Sequence, residues 1–302
     1  MNAELLTLGG SVMISGRRTE SPSPTAFLLS AQTVDDAGDH TQEAGDAAPA
    51  ARSKGEIEPG LAAKIERGRE LLFAARIDEA IEVAAELIDA APEDSIGYRI
   101  RVDAAFCDLV WGDFDRAAAD CTAVLRIDGP DAAVLCSRGH AYWLVGDNES
   151  ARRDFEEALL VKPGYAKALN NLGFLAKENG DFREAMDYFS RAIESNSEYS
   201  FAYANRGHLH YLEGRLEAAL ADQNEALRLA PRRLFQTYVD RGDTHAALEE
   251  WQAAIFDYGN AIQLDYYSSA YGGVFEKRGK AYEMTGALER AAVDFARAKE
   301  FE

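Results

Sequence analysis

The chain has 302 residues, with 32 Lys and Arg against 52 Asp and Glu and a formal net charge of −20. That surplus of carboxylates opposes non-specific binding to nucleic acid or to anionic membranes, both of which depend on Lys and Arg meeting phosphates. At 47% hydrophobic and 28% charged the composition is that of a folded soluble protein, and no stretch approaches the ~18 consecutive apolar residues of a membrane span.

Residues 1–55 differ from the rest. They hold Ser21-Pro22-Ser23-Pro24, scattered glycines and aspartates, an Ala/Pro stretch near Ala47–Ala51, and only short apolar clusters such as Phe27-Leu28-Leu29. Such a segment buries too little apolar surface to offset the entropy of ordering it, so a disordered acidic tail is expected. Glu4 and the absence of early positive charge argue against a secretory signal. Arg17-Arg18 runs into Thr19, Glu20 and Pro22 rather than an apolar core, which argues against a twin-arginine signal. The cytoplasm is the expected compartment. Cys107, Cys121 and Cys136 are too few and too irregular for a disulfide framework or a zinc site, and read as reduced core fillers.

From Leu61 onward the pattern is helical. Over 181–195, Phe182, Ala185, Met186, Phe189, Ala192 and Ile193 fall at i, i+3, i+4, i+7 and onward, making one apolar stripe. Asp181 precedes it as an N-cap candidate, with Glu184 three residues later in the spacing of a capping box. Gly180 is placed to end the preceding helix in a left-handed conformation.

The unit recurs. Gly139, Gly173 and Gly207 are 34 residues apart, and Gly68, Gly242 and Gly279 extend the series. Twelve residues after each register point stands an alanine: Ala80, Ala117, Ala151, Ala185, Ala219, Ala254 and Ala291. Seven further on come Ala158, Ala192, Ala226, Ala261 and Ala298, with Leu87 and Val124 in the first two units. Phe155, Phe189, Tyr258 and Phe295 stand between the two small positions. Small residues where helices cross let the backbones approach, and the large residue fills the space beside them. Each unit is then a helical hairpin whose apolar face is hidden only by stacking on neighbours.

This pattern resembles the tetratricopeptide repeat. Unit 132–165 carries Leu135, Gly139, Tyr142, Ala151, Phe155, Ala158 and Pro163; unit 166–199 carries Leu169, Leu172-Gly173, Ala185, Phe189 and Ala192; unit 200–233 carries Tyr203, Gly207, Ala219, Ala226 and Pro231. Further units fall at 61–94, 98–131, 235–268 and 272–302, so the array is expected to fill 56–302. Unit 98–131 departs from the pattern at Ala105 and Asp108, and three-residue insertions lie at Ser95–Gly97 and Ser269–Tyr271. The resemblance implies an all-α, right-handed solenoid of stacked helix-turn-helix hairpins whose first helices line a concave groove for an extended or helical segment of a partner protein.

Mapped onto this chain, the groove positions include Arg99 and Phe106, then His140 and Trp143, then Lys167, Asn170, Asn171 and Phe174. Further along come Asn205, His208 and Tyr211, and finally Gln236, Asp240 and Asp243. Leu109 belongs to the same set. Asn171 and Asn205 occupy equivalent positions; paired amides suit the backbone of a bound peptide, but equally suit bridging neighbouring helices. Trp143, Phe174, His208 and Tyr211 are side chains of the kind that anchor interfaces or pack units together. A carboxylate clamp of Lys, Asn, Asn, Lys and Arg, known in the family, is not matched: the positions hold Cys136, His140, Asn171, Phe201 and Asn205. A partner with apolar and basic residues is expected instead.

No HExxH, GxxxxGK[ST], GxGxxG after a strand, or GxSxG occurs, and no catalytic residue, metal site or cofactor is expected. The leading reading is a scaffold or adaptor. A second is self-association through the last unit, where Tyr282, Leu288, Ala292 and Phe295 are expected to expose apolar surface. A third is a secreted effector or its chaperone, with the tail as an export address.

Overall fold

The computed structural model describes residues 59–107, 113–231, 234–264 and 271–301. Among these residues the only regular structure is helical, and the helices pair in sequence. The first three hairpins are α1 (Pro59–Phe73) with α2 (Ile77–Ala90), α3 (Ile96–Cys107) with α4 (Phe114–Asp128), and α5 (Ala132–Leu144) with α6 (Asn148–Val161). Then come α7 (Ala166–Glu178) with α8 (Phe182–Ser195), and α9 (Ser200–Leu212) with α10 (Leu216–Leu229). The last two are α11 (Phe235–Ala247) with α12 (Trp251–Leu264), and α13 (Tyr271–Met284) with α14 (Leu288–Ala298). A short 3-10 turn, Lys299–Phe301, follows the final helix. The expected tail over 1–55, together with Asp108, Leu109 and the insertion residues 269 and 270, lies outside the described residues.

Among the described residues, six of the hairpins turn where the chain takes up positive φ. Gly146, Gly180, Gly214 and Gly286 have φ of 87°, 83°, 72° and 78° between first and second helix. The equivalent positions in the first and sixth hairpins are Ala75 and Glu249, which adopt φ of 55° and 60°. Asp113, Asp131 and Asp147 cap α4, α5 and α6 by accepting backbone N–H bonds. Asp181 stands at the N-cap of α8, but its side chain makes no capping bond. Its expected capping-box partner, Glu184, lies 3.7 Å from Arg152 of the preceding second helix.

The small-residue seams are the core. All seven alanines from Ala80 to Ala291 are buried, as are Ala158, Ala192, Ala226 and Ala261. A Cβ added to Gly139, Gly173, Gly242 or Gly279 would come within 2.5–2.7 Å of the ring of Phe155, Phe189, Tyr258 or Phe295. Glycine is therefore required for the ring to lie flat against the first helix. Cys121 and Cys136 are buried, free thiols, and burial pushes their pKa up.

A second device joins the helices of a hairpin. Arg138 forks onto Asp154, Arg206 onto Asp222, Arg241 onto Asp257 and Arg278 onto Asp294, each pair 16 residues apart with N–O distances of 2.6–2.8 Å. Three of these arginines also reach the preceding unit, at Thr122, Ser190 and Asn224. The fourth hairpin replaces the pair with Leu172 and Tyr188, which pack in one apolar cluster.

First helices of consecutive units also pack on one another (α1 on α3, α5 on α7, α7 on α9, α9 on α11), more closely than any two second helices do. The stack therefore curves with the first helices on its inner side.

Candidate groove on the first helices

The inner side has a closed floor and a partly open strip. The floor is centred on α7, where every residue from Ala166 to Ala176 is buried among α6, α8 and the neighbouring first helices. Lys167, Asn170, Asn171 and Phe174 thus lie beneath the surface. The amides meet each other: Asn205 Nδ2 donates to Asn170 Oδ1 at 2.9 Å, and Asn170 Nδ2 faces Asn171 Oδ1 at 3.5 Å. Asn205 thus bridges α9 to α7 through Asn170, while Asn171 meets Asn170 within α7. Burial pushes the Lys167 ammonium pKa down to about 7.

An aromatic row runs across three units. Phe106 stacks on His140 with ring centroids 5.2 Å apart, His140 on Trp143 at 5.7 Å, and Trp143 meets Phe174 edge-on at 5.4 Å. Burial pushes the His140 pKa down to about 3, so its ring stays neutral and packs as an aromatic. Phe106, His140 and Phe174 are equivalent in register and buried; Trp143 is half-buried. Lys177 holds its ammonium 4.4 Å from the Phe174 ring centroid, and burial lowers its pKa.

Trp143, Lys177 and Tyr211 occupy one register position in three consecutive units, each half-buried, and form the open strip. Beyond Tyr211 the surface becomes polar. His208 Nδ1 lies 3.1 Å from Asp240 Oδ2, and Gln236 Nε2 donates to Asp240 Oδ1 at 2.8 Å. Burial works against ionised Asp240, but His208, the Gln236 bond and Lys277 outweigh it and hold the carboxyl below its usual range. Asp243 accepts from Tyr258 Oη at 2.8 Å and pairs with Lys277. Arg99 stands apart from both zones, bonded at 2.8 Å to Asp128.

Sequence reasoning does not find the Arg–Asp forks, although their 16-residue spacing recurs in four units. It also misses Tyr258 and Lys277 as partners of Asp243. Among the described residues no group of His, Cys, Asp and Glu is arranged to hold a metal ion, and no helix is long and apolar enough to cross a membrane.

Profiles described as tetratricopeptide repeat match residues 65–132, 132–165, 166–199 and 202–233, together more than half of the sequence. The chain belongs to the tetratricopeptide repeat family. Tetratricopeptide repeat protein 6 of Homo sapiens is 31% identical over 171 residues, which is 55% of this chain and 32% of that protein. A DnaJ homolog subfamily C member 7 homolog from Schizosaccharomyces pombe is 31% identical over 169 residues, 51% of this chain and 35% of that protein. The chain thus spans about a third of the length of these relatives. In fold it is similar to the Cut9–Hcn1 hetero-tetramer of the APC/C, with a TM-score of 0.66 at 14% identity over 91% of this chain and 51% of that one. A tetratricopeptide repeat protein from Parabacteroides merdae gives 0.55 at 20% identity, covering 80% and 93%. Tetratricopeptide arrays are in general non-catalytic scaffolds for protein–protein interaction.

Proposed function

We propose that this array is an adaptor that holds an extended or helical segment of a partner protein along the strip Trp143–Lys177–Tyr211. The observation that supports it is the recurrence of half-buried aromatic, cation and aromatic at one register position of three adjacent first helices. An apolar side chain of the partner gains most by covering Trp143 and Tyr211, because large aromatic surfaces give the greatest burial. Asp240 and Asp243 are already matched by His208, Gln236, Tyr258 and Lys277. Their role toward basic residues of the partner, and that of the net charge of −20, is steering rather than tight pairing.

One curated relative is named a DnaJ homolog, which raises chaperone tails as partners. The five positions of a carboxylate clamp hold Cys136, His140, Asn171, Phe201 and Asn205, all buried and none a cation at neutral pH. A carboxylate-terminated tail is therefore not the ligand that this groove fits.

A displayed library of random twelve-residue peptides, selected on the full chain and counter-selected on Trp143→Ala/Tyr211→Ala, tests the proposal. The expected result is enrichment of sequences pairing aromatic or aliphatic residues with Lys or Arg, bound at micromolar Kd and weakened at least tenfold by the double substitution. Peptides that bind both proteins equally would place recognition elsewhere.

A further inference from the structure

The seam between α10 and α11 departs from the repeat grammar at two positions. Where the third, fourth, sixth and seventh units place Phe155, Phe189, Tyr258 and Phe295 against the first helix, and the first two place Ala84 and Cys121, the fifth places Gln223, whose Cγ lies 3.1 Å from a Cβ built on Gly207. Gln223 is 0% exposed, and neither its Nε2 nor its Oε1 has a hydrogen-bond partner among the described residues. The corresponding position on the next first helix is apolar elsewhere: Ile100, Val134, Ala168, Ala202 and Val274. Here it is Thr237, 1% exposed, whose Oγ1 is likewise without a partner among the described residues.

By register the two belong to the same seam. In three other seams the same two positions share one core cluster, as Cys121 with Val134, Phe155 with Ala168, and Tyr258 with Val274, whereas Phe189 and Ala202 fall in neighbouring clusters. Around Gln223 and Thr237, Leu227 packs with Leu234 on one side, and Arg241 donates to Asn224 on the other. Two buried polar side chains, each at a position that is apolar in other units, therefore line one closed seam. A buried amide without partners is costly, and a polar site with several donors and acceptors is where internal water binds.

We infer that Gln223 and Thr237 form an internal water-binding site, and that this hydrated seam is the joint at which the array opens most readily. An aromatic ring would rigidify the seam by close packing, whereas water exchanges and leaves fewer apolar contacts to break. The joint separates His208 from Asp240 and Gln236, so its opening changes the spacing of the groove's polar end. The inference concerns the stack itself and holds whatever the groove binds.

Hydrogen exchange on the full chain, compared with Gln223→Leu/Thr237→Val, tests it. Both substitutions keep the shape and remove the polar atoms, which for paired removal is neutral or stabilising. The expected result is that wild-type amides of α10 and α11 exchange faster than those of α6 and α7, and that the double variant slows them at least tenfold without altering α6 and α7. Unchanged or faster exchange in the variant, or its failure to fold, would mean that the polar atoms serve a dry, rigid seam, and would overturn the inference.

Discussion

Replacing Arg241 with Leu strands a buried charge. Asp257 is 1% exposed at its side chain and takes two bonds from Arg241, with His245 Nε2 the remaining cation candidate at 3.7 Å. Removing one partner of a buried ion pair costs about 3–5 kcal/mol; because Arg241 itself is 17% exposed, the lower end, about 3 kcal/mol, applies. The fourth hairpin supplies the control, since Leu172 and Tyr188 occupy the same two positions without charge. Arg241→Leu/Asp257→Tyr copies that solution and is expected to stay within about 1.5 kcal/mol of wild type. Repeat arrays need not unfold in two states, so the assay is hydrogen exchange within α11 and α12 rather than a single melting curve. The single variant should exchange about a hundredfold faster and the double no more than about tenfold faster. A double variant as labile as the single one would refute the reasoning.

Gly173→Ala places a Cβ 2.7 Å from Phe189 Cε1, and hydrogen exchange within the altered hairpin should show a local loss of about 1–3 kcal/mol as the ring is displaced. Glu249→Gly relieves a non-glycine residue at φ 60° and is expected to stabilise by about 1 kcal/mol in the same assay. His140→Phe copies the equivalent Phe106 and Phe174. Burial holds the folded His140 pKa at about 3, against an ordinary histidine value of 6.5. The unfolded chain therefore binds the extra proton, and stability is lost as pH falls below about 6.5. Hydrogen exchange within α5 at pH 7 and pH 5, corrected for the intrinsic pH dependence of exchange, should show wild type losing about 2 kcal/mol through this residue, and the Phe variant escaping that loss.

Much of the fold is legible in the sequence because close helix packing restricts residue size at fixed intervals. The glycine, alanine and aromatic positions repeat for that reason, and the structure buries them as the spacing requires. Charged contacts are less legible. Asp154, Asp222, Asp257 and Asp294 look like any solvated carboxylate until the partner arginine 16 residues earlier is brought beside them. Register alone marks the groove, and register does not report depth. Asn170, Asn171 and Phe174 stand at positions expected to line a groove but are covered because α7 is enclosed by neighbours, while Trp143, Lys177 and Tyr211 remain partly open. The last hairpin shows the same limit. Leu288 is 66% exposed, as the sequence suggests, but Phe295 packs on Gly279 and Phe301 stacks on Phe275 at 6.1 Å.

The most direct measurement is site-specific photocrosslinking of a selected peptide to the full chain. A photoreactive residue at Tyr211, on the inner side, should capture the peptide, and one at Leu160, exposed on a second helix, should not. Capture at Leu160 with none at Tyr211 would contradict an inner binding face.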